Sequence, residues 1–127
     1  MSKTAINSDQ APAPIGPYSQ SIKAGNTLYV SGQIPFDQLT GEMINENITE
    51  ETHQVMKNLE AILSEAGMTF DNVVKCSIFL QDLGQFTTVN EAYGMYFKGT
   101  PPARECVEVA RLPKDVNVEI SCIAVDL

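Results

Sequence analysis

The ten residues Val116–Val125 constrain the fold more than any other stretch. Val118, Ile120, Cys122 and Ala124 alternate with Glu119 and Ser121, the period of a strand with one buried face. The other face is not cleanly polar, because Ile123 and Val125 fall on it. A sheet holding this strand therefore has two faces to cover. The chain has 127 residues, which fits one domain (1–127) with one core. Helices can cover one face of the sheet, but so small a domain lacks the elements to cover the other. A symmetric homo-oligomer that packs sheet on sheet is the simplest solution.

The rest of the chain supplies the helices and the remaining strands. Residues Asp9 to Pro17 carry Pro12, Pro14, Gly16 and Pro17 and read as an extended surface arm. Tyr18–Ala24 and Thr27–Ser31, joined at Gly25-Asn26, read as a hairpin. Asp37 to Asn47 is polar and reads as a loop. From Thr49 to Ala66 the period changes: Val55, Leu59, Ile62, Leu63 and Ala66 recur at helical spacing. Asn47 or Thr49 can cap that helix, and Gly67 follows its end. Val73–Leu80 is strand-like. A second helix is marked by Phe86, Val89, Tyr93, Tyr96 and Phe97, with Asn90 on the same side as Phe86, Tyr93 and Phe97. Two final strands flank Leu112-Pro113-Lys114-Asp115. The order β-β-α-β-α-β-β predicts an α+β mixed sheet with both helices on one face. If the last two strands pair around Lys114, Cys106 and Cys122 become neighbours.

Charge and cysteine usage remove several functional classes. The formal net charge is −8, which opposes non-specific binding to phosphate backbones. No run approaches the roughly 20 apolar residues that span a bilayer. The N-terminal segment from Met1 lacks the apolar core of a signal peptide, so cytoplasmic residence is expected. Three cysteines without C-x-x-C spacing make neither a disulfide framework nor a zinc site. The single histidine, His53, lies amid Glu50, Glu51 and Gln54 in what reads as a solvated setting, and one histidine cannot build a multi-histidine centre. The glycines form no phosphate loop.

Two charged residues stand out in strand-like sequence. Arg104 follows Pro101-Pro102-Ala103 and offers a planar donor fork suited to a carboxylate. Glu119 lies among apolar neighbours, on the strand face of Asn117 and Ser121, where a raised pKa would let it handle protons. Each also has a structural reading. Arg104 would pair with an acid at a subunit interface, and Glu119 with Arg104, Arg111 or Lys114 across the final hairpin. Tyr18, behind Ile15-Gly16-Pro17, and Ser31, before Gly32, stand where chains often line pockets.

These segments resemble the Rid (YjgF-like) family of reactive-intermediate imine deaminases. The resemblance rests on Ala13-Pro14-Ile15-Gly16-Pro17-Tyr18, Val30-Ser31-Gly32-Gln33-Ile34-Pro35, Val89-Asn90-Glu91-Ala92-Tyr93 and Pro102-Ala103-Arg104 through Glu119-Ile120. It implies a chorismate-mutase-like fold and a homotrimer whose sheets pack into a central barrel with three clefts between subunits. It further implies hydrolysis of 2-imino acids, derived from enamines such as 2-aminoacrylate, to 2-keto acids and ammonia, with no metal or organic cofactor. By position, Arg104 would bind the substrate carboxylate and Glu119 would activate water. Tyr18, Ser31 and Asn90 would line the cleft, and the backbone at Cys106 would help hold the water or the imine nitrogen. A non-catalytic regulatory protein that binds small molecules in the same cleft fits the same residues. One position departs from the family pattern: Glu105, which strand alternation turns away from Arg104. Facing the cleft, it would repel a carboxylate substrate.

Overall fold

The computed structural model describes residues 2–127; Met1, the start of the N-terminal segment read above, lies outside them. Its strands are β1 (Lys3–Ile6), β2 (Ser21–Ala24), β3 (Thr27–Gln33), β4 (Phe36–Asp37), β5 (Glu42–Met43), β6 (Val73–Leu80), β7 (Ala103–Glu108) and β8 (Val118–Val125). Helix α1 (Ile48–Glu65) precedes β6, and α2 (Phe86–Gly94) joins β6 to β7. The six-stranded sheet runs β1-β2-β3-β8-β6-β7. Only the β6–β7 pair is parallel within it. An α+β mixed sheet with two helices is the architecture expected from the sequence.

Helix α1 forms where the period-3.6 pattern places it. The Asn47 side chain accepts from the Glu50 N–H at 2.9 Å, satisfying one of the orphan donors of the first turn. Past the other end, Gly67 takes a φ of 73°, a conformation that suits glycine. Val55, Met56, Leu59, Ile62 and Leu63 are fully buried. They meet Leu28 and Val30 of β3, Cys76, Ile78 and Leu80 of β6, and Val118, Ile120, Cys122 and Ala124 of β8. Each fully buried aliphatic side chain of this set contributes roughly 1.5–3 kcal/mol. The two helices pack on each other on this one face. On the other face, Tyr29 and Val107 remain 50% and 42% exposed.

Three sequence expectations give way. The last two strands do not form a hairpin, because β6 lies between them: β7 pairs with β6 in parallel and β8 pairs with β6 antiparallel. The cause is α2, a crossover that returns the chain parallel to β6. The 109–117 segment then carries it past β6 to the far side. Cys122 therefore opposes Cys76, while Cys106 opposes Ile78. Secondly, the predicted loop 37–47 contains all but the first residue, Phe36, of a small β4–β5 hairpin, turned by Gly41 at φ 76°. Thirdly, α2 stops at Gly94, short of Tyr96 and Phe97, although both still pack against the core. The edge strand β1, paired with β2, has no clear alternation and is additional to the predicted order.

Among the described residues no helix is long and apolar enough to cross a membrane.

Candidate active site

Strand parity decides where the candidate residues go. On β7, Arg104 and Cys106 share the helix-covered side, since Arg104 is the register partner of Cys76 and Cys106 of Ile78, both buried. Helix α2 closes over this side. The Arg104 guanidinium donates to Asn90 Oδ1 at 2.6 Å. Its carbon lies 5.4 Å from the Phe86 ring centroid and 5.1 Å from that of Tyr93. Two aromatic faces and one amide thus hold the fork while leaving most of its donors free. The cavity in front, about 530 Å³, is bounded by Arg104, Asn90, Tyr93, Phe97, Pro101 and Pro102. Phe86 and Tyr93 were read from sequence as core positions only. Their spacing to Asn90 was the available signal for their role here.

Beneath the guanidinium sits a buried polar layer. The Tyr93 hydroxyl is buried without a hydrogen-bond partner. Burial, followed by the Cys76 thiol beside it, raises its pKa far above the ordinary phenol value. Burial likewise pushes the Cys76 and Cys106 thiols up, and the Arg104 charge pulls both partway back. These cysteines are therefore protonated core residues at neutral pH.

The second group stands on the other face of the same sheet. Val30 is the register partner of Cys122 and Gln33 that of Ile120, so Ser31 and Gly32 together face the single residue Ser121. This bulge bends β3 and aims both residues at the uncovered side. Ser31 Oγ donates to Ser19 O at 2.7 Å, tying down the backbone next to Tyr18. Tyr18 and Ser31 line one cavity of about 420 Å³ with Ser77, Ser121 and Lys75. Tyr18 and Gly32 line another of about 310 Å³ with Ile34, Phe36, Met43 and Lys114.

Glu119 lies on β8 on the same side, opposite Phe79. Its carboxylate rests directly on Gly32, where an added Cβ would lie 2.8 Å from Glu119 Cδ and closer still to an oxygen. Burial raises the Glu119 pKa above the usual carboxylate value. Neither Arg104 nor Glu119 forms an ion pair within the chain among the described residues. Arg111, an expected partner of Glu119, pairs with Asp115 at 2.7 Å.

Three further residues differ in detail from expectation. Glu105 faces away from Arg104, as alternation requires, and is engaged by Lys75 at 3.0 Å and by the Ser77 hydroxyl. Those two groups hold its carboxyl below the ordinary range, the Ser77 hydrogen bond being the larger cause. Asn117, expected beside Glu119, precedes β8 and hydrogen-bonds Glu51 of α1. His53 is half-buried rather than solvated, with Nδ1 2.8 Å from the Tyr96 hydroxyl.

Within one chain, then, the predicted residues form two groups separated by the thickness of the sheet. Arg104, Asn90 and Cys106 are on the helix side, and Tyr18, Ser31 and Glu119 on the open side. The helix side presents a guanidinium with free donors, and the open side a carboxyl group whose pKa is raised by burial.

Comparison with known proteins shows the family of the chain. The family model described as endoribonuclease L-PSP matches residues 8–126. The mouse protein named 2-iminobutanoate/2-iminopropanoate deaminase is 46% identical over 123 residues, covering 97% of this chain and 91% of its own. A Yersinia pestis protein of the Rid family, YyfA, superposes with a TM-score of 0.94 at 46% identity, covering 98% and 99% of the two chains. The Escherichia coli protein TdcF, solved with bound serine, gives 0.92 at 40% identity over 96% and 98%. With a family model spanning nearly all its residues and close relatives matching end to end, this chain belongs to the Rid family.

Proposed function

We propose that this protein hydrolyses reactive 2-imino acids, 2-iminopropanoate and 2-iminobutanoate among them, to 2-keto acids and ammonia. The reaction takes place in clefts between the subunits of a homotrimer with a chorismate-mutase-like fold and a central barrel of packed sheets. Residues 1–127 act as one Rid-type domain. The observation that carries the reading is the partition of the site. Arg104 and Glu119 lie on opposite faces of one sheet, so a cleft holding both draws them from two copies. The exposed Tyr29 and Val107 on the open face supply a surface for the second copy to cover. The relatives named deaminases support the activity class. The acidic balance of −8 weighs against a phosphate-backbone substrate, despite the family model's endoribonuclease description.

In the cleft, Arg104 holds the substrate carboxylate through its bidentate fork, and Asn90, Phe86 and Tyr93 keep that fork in place. Glu119 from the neighbouring copy accepts a proton as a water oxygen bonds to the imine carbon. The same proton passes to the nitrogen and completes a carbinolamine. The carboxylate then takes the carbinolamine's hydroxyl proton and delivers it to the amine nitrogen as the carbon–nitrogen bond breaks, so that ammonia leaves and the carbonyl forms. A carboxyl whose pKa burial raises above the usual carboxylate value is suited to these transfers. Tyr18 and Ser31 line the approach on Glu119's side, and the backbone at Cys106 lies on Arg104's side.

The direct test is turnover of 2-iminopropanoate and 2-iminobutanoate by the purified protein, with Arg104→Ala as control. Keto-acid release above the spontaneous rate that is lost in Arg104→Ala supports the reading. A wild-type rate equal to the spontaneous one removes it.

A further inference from the structure

One buried ionisable group takes no part in this chemistry. Glu51, in the first turn of α1, is completely buried, and among the described residues no cation pairs with it. A carboxylate in such a place is tolerated only when hydrogen-bonded. Both oxygens are spent on a single residue 66 positions away. The Asn117 backbone N–H donates to Oε2 at 2.6 Å, and Asn117 Nδ2 donates to Oε1 at 2.9 Å.

Asn117 occupies a demanding position. One residue, Val116, separates it from Lys114 and Asp115, which adopt φ of 58° and 56°, the only non-glycine residues with positive φ among those described. Two consecutive left-handed residues with side chains are unfavourable and persist only when their surroundings over-determine them. Here the surroundings are identifiable. Asn117 O accepts from the Gln81 N–H at 3.0 Å, and Gln81 Nε2 reaches Ala110 O at 2.9 Å. The turn into β8 is thus pinned to the end of β6 and, through Glu51, to α1. Two residues further on stands Glu119, resting on Gly32.

We propose that Glu51 is a positioning residue for Glu119, clamping Asn117 so that β8 begins in the register that seats the Glu119 carboxylate on Gly32. This role rests on the deaminase reading above. Glu51 touches neither the substrate nor the reacting atoms. A carboxylate suits the clamp because it presents only acceptors to two donors of the same residue. A glutamine retains one acceptor for the Asn117 N–H. Its amide meets the other end of Asn117 once the Asn117 side-chain amide rotates.

The test compares kcat and KM for 2-iminopropanoate, together with the thermal midpoint, in wild type, Glu51→Ala and Glu51→Gln. Displacing a reacting group costs turnover, whereas the carboxylate fork that sets substrate affinity lies on another strand. Glu51→Ala is therefore expected to lose about tenfold or more in kcat with KM nearly unchanged, and Glu51→Gln to restore most of the loss. Should Glu51→Ala not fold, Asn117→Ala carries the same test with a smaller loss of kcat, since only the side-chain half of the clamp goes. A folded Glu51→Ala or Asn117→Ala protein with undiminished kcat overturns the proposal. So does a loss of activity that merely follows the fraction unfolded. If the wild-type protein turns over no imine, the deaminase reading and this role fall together. Wild-type turnover with an unimpaired Glu51→Ala removes this role alone.

Discussion

The carboxylate of Glu119 sits on the α-carbon of Gly32, at a point where no side chain can intervene. The bulge at Ser31 and Gly32 brings about this approach, and the bare backbone permits it. Gly32→Ala is expected to push Glu119 aside. A displacement of about 1 Å from productive geometry can cost on the order of 100-fold in rate. Steady-state turnover of 2-iminopropanoate alongside a far-ultraviolet circular dichroism spectrum checks it: the spectrum should stay and the turnover should fall.

Arg104→Lys keeps the charge but loses the planar fork and its stacking between Phe86 and Tyr93. Hydrogen bonds to charged groups are worth about 1.5–3 kcal/mol. Imine turnover, kcat/KM, is accordingly expected to drop roughly 10- to 100-fold. Asn90→Ala should cost less, since it frees the guanidinium without removing it. Activity in Arg104→Lys equal to wild type would take the fork out of substrate binding.

The raised Glu119 pKa sets the direction of the pH response. With the deprotonated carboxylate as the proposed base, kcat/KM should rise with pH through a value above the ordinary carboxylate range and then level. Stability runs the other way. A carboxyl whose folded pKa is raised holds its proton more tightly when folded. Its contribution is present below the unfolded pKa and is lost as pH rises through the folded one. Glu119→Gln should abolish the activity limb and flatten the stability change. It should also keep ligand binding while losing turnover, and retained turnover would remove Glu119 from the role of base.

Tyr29 is half exposed in the middle of the open sheet face. Tyr29→Glu would place several charges against packed sheet in an oligomer, at several kcal/mol for each ion. Sedimentation velocity should then show monomer in place of the proposed trimer, with imine turnover lost.

Leu59→Ala tests the helix side of the sheet. This fully buried residue packs at the centre of the α1 interface, and its truncation should destabilise the chain by about 2–5 kcal/mol in urea unfolding.

What could be read in the sequence follows from how local each feature is. The span of α1 was legible because Val55, Leu59, Ile62 and Leu63 repeat at its own period, and Asn47 caps it as read. The two faces of β8 were legible from alternation alone. The partner of β8 was not. Strand order depends on α2 acting as a parallel crossover, and nothing within residues 103–125 encodes that. β1 was missed because Lys3-Thr4-Ala5-Ile6 is an exposed edge with no pattern to read. Arg104 and Glu119 were found as charges in apolar strands. Their separation by the sheet needed the register, and so did the ties of Glu105 to Lys75 and Ser77. The Glu51–Asn117 clamp links residues 66 positions apart through one side chain, a relation with no sequence period.

The sheet that divides the two groups also divides the genetics of the site. In the proposed homotrimer every subunit would carry both Glu119 and Arg104, yet each cleft would use only one of the two from any given copy. Subunits lacking Arg104 and subunits lacking Glu119 should both be inert alone. When dissociated, mixed and reassembled, they should form trimers in which one cleft can receive its arginine from one parent and its glutamate from the other. Two dead proteins would then yield a partly live one, a rescue that a site built within a single chain cannot produce.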